Sequence, residues 1–310
     1  MNTSPYGFTY CAAGDDGSVY VTGVVVELEE QDVKHTVLWE RIQGQWSKYK
    51  WANRSHGVAA YEDASGRAAL YLGFDGTLKV RSQVNGSSVQ ILETGDDTPS
   101  QIRTVTGVRA IGKHLFVTGM RRMVYRRRLD EATWHRFDAG MRVPKSSPVI
   151  AGLRSIDGDG ADHLVAVGLE GEIWTCDGGV WRIDDSPTNI RLSAVRYSAD
   201  GGYVIGGADG TLIRGNPGKW EPVHHEFTAE TFRCIDFWSG RCFVGSESGS
   251  VFELTRGVNP QLVPLALGTE GFVAWIASTQ ERIYFLGRTT LQSLGASGWR
   301  DESPPHDLLV

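Results

Sequence analysis

At 310 residues, with 41% hydrophobic and 22% charged residues, the chain carries enough apolar material for a sizeable core, which excludes general disorder. Its formal net charge of −6 argues against a general nucleic-acid binder. No stretch approaches the ~20 apolar residues a membrane helix needs, and residues 1–7 lack the basic flank and apolar run of a secretory signal; the expectation is a cytoplasmic protein with no membrane association.

A phrase of β-rich run, glycine, tight turn and renewed alternation recurs along the chain. The first copy is irregular, because Val24 to Lys34 reads as an insertion between strands. The second runs through Leu70-Tyr71-Leu72-Gly73 and Asp75-Gly76 to Val80, and a worn third through Phe116-Val117-Thr118-Gly119. The fourth is the fullest, with Gly168, Glu170-Gly171, Ile173-Trp174 and then Asp177-Gly178-Gly179-Val180-Trp181. Val204 to Ile213, Phe243 to Phe252 and Tyr284 to Gly287 supply the remaining three. A short apolar strand precedes each phrase, as at Ser193 to Tyr197, and a Trp-led strand follows it at Trp46, Trp134, Trp181, Trp220 and Trp299. Four short antiparallel strands per unit at a period of roughly 40 residues predict a propeller. The fold expected is therefore all-β, a seven-bladed β-propeller of four-stranded antiparallel blades in one domain, 1–310. Its blades are placed at about 8–52, 56–94, 103–140, 149–185, 190–225, 231–265 and 272–302.

Motifs that carry chemistry fail on inspection. Gly107 to Lys113 has the spacing of a phosphate-binding loop, but His114 stands where magnesium binding needs Ser or Thr and no helix pattern follows, so a hairpin turn at Gly112-Lys113 is expected. Asp157, Asp159 and Asp162 imitate a calcium loop, yet Gly168 occupies the position of the bidentate Glu; a turn between first and second strands accounts for them better. His224, His225 and Glu226 fall in an inter-blade connection and read as surface loop. Cys11, Cys176, Cys234 and Cys242 read as small core residues, with Cys234 and Cys242 on opposite faces of their hairpin. No catalytic residue, metal ligand or cofactor site is assigned.

Charge is the strongest non-random feature. Residues 101–145 hold eleven Lys and Arg against three acids, an excess of eight in a chain that is acidic elsewhere. Arg121 and Arg122 replace the usual Asp-Gly of the turn between second and third strands, and Arg142 and Lys145 lie in the connection that emerges on the same rim. Such an arc steers acidic partners. Arg126, Arg127 and Arg128 cannot all point one way on a strand, so at least one is expected to pair inside or between blades.

Asp177-Gly178-Gly179-Val180-Trp181, preceded by Gly168, Gly171 and Ile173, resembles the BNR/Asp-box repeat, and in particular propellers of the photosystem II assembly factor type. Thr175 fills the hydroxyl place two residues before the Asp, and one residue is missing ahead of Trp181. The resemblance implies a propeller that acts by binding proteins. With the charge arc, it leads to an expected non-catalytic protein-binding propeller that docks an acidic partner through Arg121, Arg122, Arg142 and Lys145, as an immunity-type neutraliser of a toxin or as an assembly factor. Sialidases also carry Asp-boxes, so the alternative is a glycan-binding or glycoside-processing propeller with converging carboxylates and aromatics such as Trp238, Trp275 or Tyr284. Nucleic acid is the least expected partner.

Overall fold

Leu70, Tyr71 and Leu72 are consecutive and all buried, which an ordinary half-exposed strand does not allow. Leu70 and Leu72 pack with Leu115 and Val117 of the next repeat, whereas Ala69 and Tyr71 pack with Tyr20 and Leu38 of the previous one. Each repeat is thus a sheet sandwiched between two others, and its middle strands must be apolar on both faces. Seven such core clusters occur, one between each pair of neighbouring sheets.

The computed structural model describes residues 4–92, 105–267 and 273–309. It comprises seven four-stranded antiparallel sheets, each formed by strands consecutive in the chain. The first strands of the sheets are Tyr6–Ala13, Ser55–Asp63, Val105–Ile111, Leu153–Gly158, Leu192–Ser198, Phe232–Trp238 and Trp275–Ser278. These seven neighbour one another in order and the last returns to the first, so they line a central channel. The chain is a seven-bladed propeller, as the repeat predicts. No helix is long and apolar enough to cross a membrane.

The insertion of the first blade is helical at its centre. Val24 and Val25 complete the strand Val19–Val25, and Val26–Glu30 form one short helix before the third strand. The repeating glycines have a packing reason. A methyl group on Gly168 would collide with the carbonyl of Gly152, one on Gly207 would lie 2.5 Å from the Arg191 carbonyl, and one on Gly245 would lie 2.6 Å from the Cys234 sulfur. At Gly168 and Gly207 the second strand ends against the segment entering its own blade, and only glycine leaves room.

The ring closes without an exchanged strand, since Tyr6–Ala13 pairs within its own blade. Phe8 N donates to the Arg288 carbonyl at 2.7 Å, and the tail returns across the first blade, where Trp39 Nε1 donates to the Leu308 carbonyl at 3.1 Å. Arg41 pairs with Glu302, and Leu308 and Leu309 pack on the cluster that joins the seventh blade to the first.

Candidate functional site

Strands that run from the channel outward in chain order put the turns between second and third strands, and all inter-blade connections, on one face. The four arc residues lie there together. Arg121 N donates to the Ala151 carbonyl (2.7 Å) and Val143 N to the Arg121 carbonyl (3.0 Å), which ties the turn to the connection. Arg121 Nη2 donates to the Lys145 carbonyl at 3.1 Å, and the Lys145 ammonium is exposed. Arg122 is held differently. Its guanidinium forks onto Glu172 of the fourth blade, with Nε to Oε2 at 2.7 Å, and lies over Trp174. Arg142 Nη1 donates to buried Asp138 at 2.9 Å. Arg122 and Arg142 therefore meet carboxylates at once, Lys145 presents its charge outward, and Arg121 is half-buried with Nη1 enclosed and without a hydrogen-bond partner among the described residues. Val149 and Ile150, 53% and 73% exposed, add an apolar edge beside them.

Arg121 and Arg122 both have left-handed backbone, with φ of 60° and 58°. The fourth and fifth blades place Glu170-Gly171 and Asp209-Gly210 in the same turn, each pair also at positive φ. A residue with a Cβ costs about 1–2 kcal/mol in that region, and here two bulky arginines accept it in succession. Most other described members of the basic segment are paired, with Lys113 exposed in its turn. Arg127 is buried, bonded to Tyr61 Oη (3.3 Å) and close to the faces of Tyr61 and Trp134; Arg126 lies over Phe137, and Arg128 pairs with Asp130. Arg103 falls outside the described residues.

The failed motifs fold as turns and loops, except that Asp157, expected in the turn between first and second strands, lies on the first strand itself. Gly112-Lys113 joins two strands of a hairpin. Asp157 is buried on the channel strand, where its Oδ2 accepts from Tyr197 N at 3.1 Å. His225 Nε2 bonds the Gly210 carbonyl at 2.7 Å and its ring packs on Phe232. All four cysteines are buried and free; burial pushes the Cys176 thiol up to about 11 and that of Cys234 up to about 12. Among the described residues no group of three His, Cys, Asp or Glu side chains could hold a metal ion.

A second cationic feature adjoins the arc. Six channel strands carry a β-bulge near their start, and the extra residues are Thr9, His56, Thr106, Arg154, Ser193 and Arg233. A bulge leaves its residue outside the ladder and re-aims the side chain. Five of these, all but Thr9, line one cavity of about 50 Å³ together with Trp275. Arg154 follows Gly152 by two residues, and Gly152 bridges Met120 beside the Arg121 turn. The channel mouth and the arc therefore share one face.

Deeper in the channel the charges balance. Arg109 pairs with Asp157 at 3.4 Å, and Asp157 and Asp236 both lie near Arg109 and Arg196. At the mouth they do not balance. Arg154 and Arg233 have no hydrogen-bond or ion-pair partner among the described residues. Burial, together with the charges of Arg191 and Arg233, holds the Arg154 guanidinium below its usual value. Burial, Arg154 and Arg54 likewise lower His56. Tyr10, pushed up by burial, is pulled down by Arg233 and Arg154, so both arginines approach it across the channel.

No family model matches the chain. Over 245 residues it is 32% identical to the Immune protein Tsi7 of Pseudomonas aeruginosa, which covers 77% of this chain and 78% of the relative. The chain belongs to the Tsi7 family. Among solved structures it is similar to virginiamycin B lyase from Staphylococcus aureus, at a TM-score of 0.68 and 13% identity over 93% of this chain and 94% of that one. It is also similar to YCF48 from Cyanidioschyzon merolae, at a TM-score of 0.66 and 13% identity over 94% and 95%. At such identities these two share the fold alone with this Tsi7-family chain.

Sequence reasoning missed Arg154 and Arg233. They fall outside the basic segment that the charge count isolates, and their place shows only when the blades are aligned. Leu153-Arg154-Ser155-Ile156, Leu192-Ser193-Ala194-Val195 and Phe232-Arg233-Cys234-Ile235 share one phase, in which a fully buried residue recurs three positions on (Leu153 and Ile156, Leu192 and Val195, Phe232 and Ile235), with Ala194 and Cys234 buried as well. That broken alternation is the signal of a bulge.

Proposed function

We propose that this protein is an immunity-type propeller: a non-catalytic, cytoplasmic protein that binds a protein toxin and blocks it by occlusion. The single observation that carries this reading is the 32% identity to Immune protein Tsi7 over most of both chains. The docking face is the one that carries the turns between second and third strands. On it, Arg121 and Lys145 meet acidic groups of the toxin, and Arg122 and Arg142 act behind them, fixing turn and connection through Glu172 and Asp138. A rigid ring of loops is suited to this, because its binding surface is ordered before the partner arrives and loses little entropy on docking. The Asp-box likeness of Thr175 to Trp181 is read as a turn device: Gly178 and Gly179 have φ of 58° and 82° and close a tight hairpin.

The test is co-expression with the products of genes that flank its own. A toxin that arrests growth alone, and is tolerated when this chain is present and forms a stable complex with it, supports the reading. Flanking products that neither arrest growth nor bind the chain would overturn it.

A further inference from the structure

Arg154 and Arg233 present a conflict that the rest of the molecule avoids. Nearly every other arginine of the core and of the arc meets a carboxylate or a carbonyl, and the layer below sets Asp157 and Asp236 against Arg109 and Arg196. At the mouth, Arg154, Arg233 and His56 share one small cavity with Thr106 and Ser193; Arg109 and Arg196 line it from below, and no carboxylate does. Arg191, whose Nη2 bonds Thr231 Oγ1 at 3.3 Å, adds its charge to Arg154 from the side. Arg154 and Arg233 are exposed at this mouth; like charges held together in a concave site repel, and that cost is offset when an anion enters.

We infer that the channel mouth is an oxyanion site, in which Arg154 and Arg233 clamp a carboxylate or phosphoryl group while the Ser193 hydroxyl adds a hydrogen bond; the Thr106 hydroxyl is already spent on the Leu153 carbonyl. Guanidinium forks suit planar or tetrahedral oxyanions, which they bind through paired N–H donors. Size narrows the ligand further. A cavity of about 50 Å³ has room for only a few water-sized groups, so it takes a single anionic group and not a sugar or nucleotide ring. The β-bulge explains why these side chains converge: it turns equivalent positions of neighbouring blades toward one axis. Trp275 closes the seventh side, its ring 4.9 Å from that of Tyr10. The site stands apart from the toxin-binding reading and would exist whatever the protein's partner.

Titration of the full chain with inorganic phosphate, with acetate and with a blocked Asp-Glu-Asp peptide tests this, followed by calorimetry and by the His56 ring resonance, with sodium chloride at equal ionic strength as reference. Phosphate or a carboxylate ligand should bind, raise the His56 pKa and raise Tm above the chloride control. Arg154→Gln and Arg233→Gln should each weaken that binding at least tenfold, and Lys219→Gln, an exposed charge on an outer strand, should leave it unchanged. Preference for phosphate identifies a phosphoryl ligand; preference for acetate and the peptide identifies a carboxylate. In low salt without ligand, Arg154→Gln should be as stable as the wild type or more so, because it removes repulsion. Ligand effects equal to those of chloride, or binding that survives in both arginine variants, would overturn the site.

Discussion

Arg122 of the third blade and Glu172 of the fourth form a forked ion pair across the blade boundary, Nε to Oε2 at 2.7 Å, and the same Glu172 oxygen accepts Trp174 Nε1 at 3.0 Å. Both charged side chains are largely buried, at 18% and 11% exposure. Removing one partner leaves the other desolvated and alone, so Glu172→Ala should destabilise the fold by about 2–3 kcal/mol. Urea denaturation measures this; a loss within experimental error of zero would mean that the pair is solvated.

That pair also governs how the arc is tested. Reversal of Arg122 would break a structural contact, so affinity lost in that variant could reflect misfolding. Arg121→Glu and Lys145→Glu are the cleaner changes, because Arg121 donates only to a carbonyl and the Lys145 ammonium is exposed. Together they should weaken toxin affinity at least tenfold at low salt, mainly through association rate, with stability little changed. Stopped-flow binding at two ionic strengths checks it.

The architecture was legible because it is written in period. Gly73, Gly168 and Gly207 mark where second strands end, and Trp46, Trp181, Trp220 and Trp299 fall on outermost strands of the structure. The short helix Val26–Glu30 was hidden, since five residues are too few to establish a 3.6-residue pattern. The arc's charge was visible as composition, but its pairing was not: Glu172 stands 50 residues from Arg122 and is joined to it only by the neighbouring blade. The Arg154 and Arg233 cluster is harder still, because it depends on a bulge that shifts phase by one residue.

Ring closure by the tail gives a third prediction. Removal of residues 304–310 takes away the Leu308 carbonyl that Trp39 Nε1 uses, and exposes apolar surface between the first and seventh blades. The truncated chain should still form the propeller, with stability reduced by about 2–4 kcal/mol. Thermal unfolding followed by near-ultraviolet circular dichroism measures the shift, and an unchanged Tm would show that the tail is ornamental.

Acid should weaken one turn in a defined direction. Burial tends to raise the Asp75 carboxyl, but bonds from Asn53 Nδ2 (2.9 Å) and Thr77 N (3.0 Å) outweigh it and hold the group below its usual value. A depressed folded value contributes stability above the unfolded pKa of about 4, lost as pH falls through the folded one. Asp75→Asn should therefore flatten the decline of Tm below about pH 4 relative to the wild type. Parallel curves would remove Asp75 from the acid response.

The four buried thiols should resist reagents in the native state. With Cys176 pushed up to about 11 and Cys234 up to about 12, little thiolate exists at pH 8. Ellman's reagent should titrate all four cysteines only after denaturation; rapid native reaction would place a thiol at the surface.

Hydrogen exchange of this chain, alone and bound to the proposed toxin, tests most directly the claim that the protein works by docking through one face. The account predicts slowed exchange in the Arg121-Arg122 turn, the connection 137–152 and neighbouring inter-blade segments. Protection confined to the opposite rim, in turns such as Gly112-Lys113, Gly178-Gly179 and Ser239-Gly240, would contradict it.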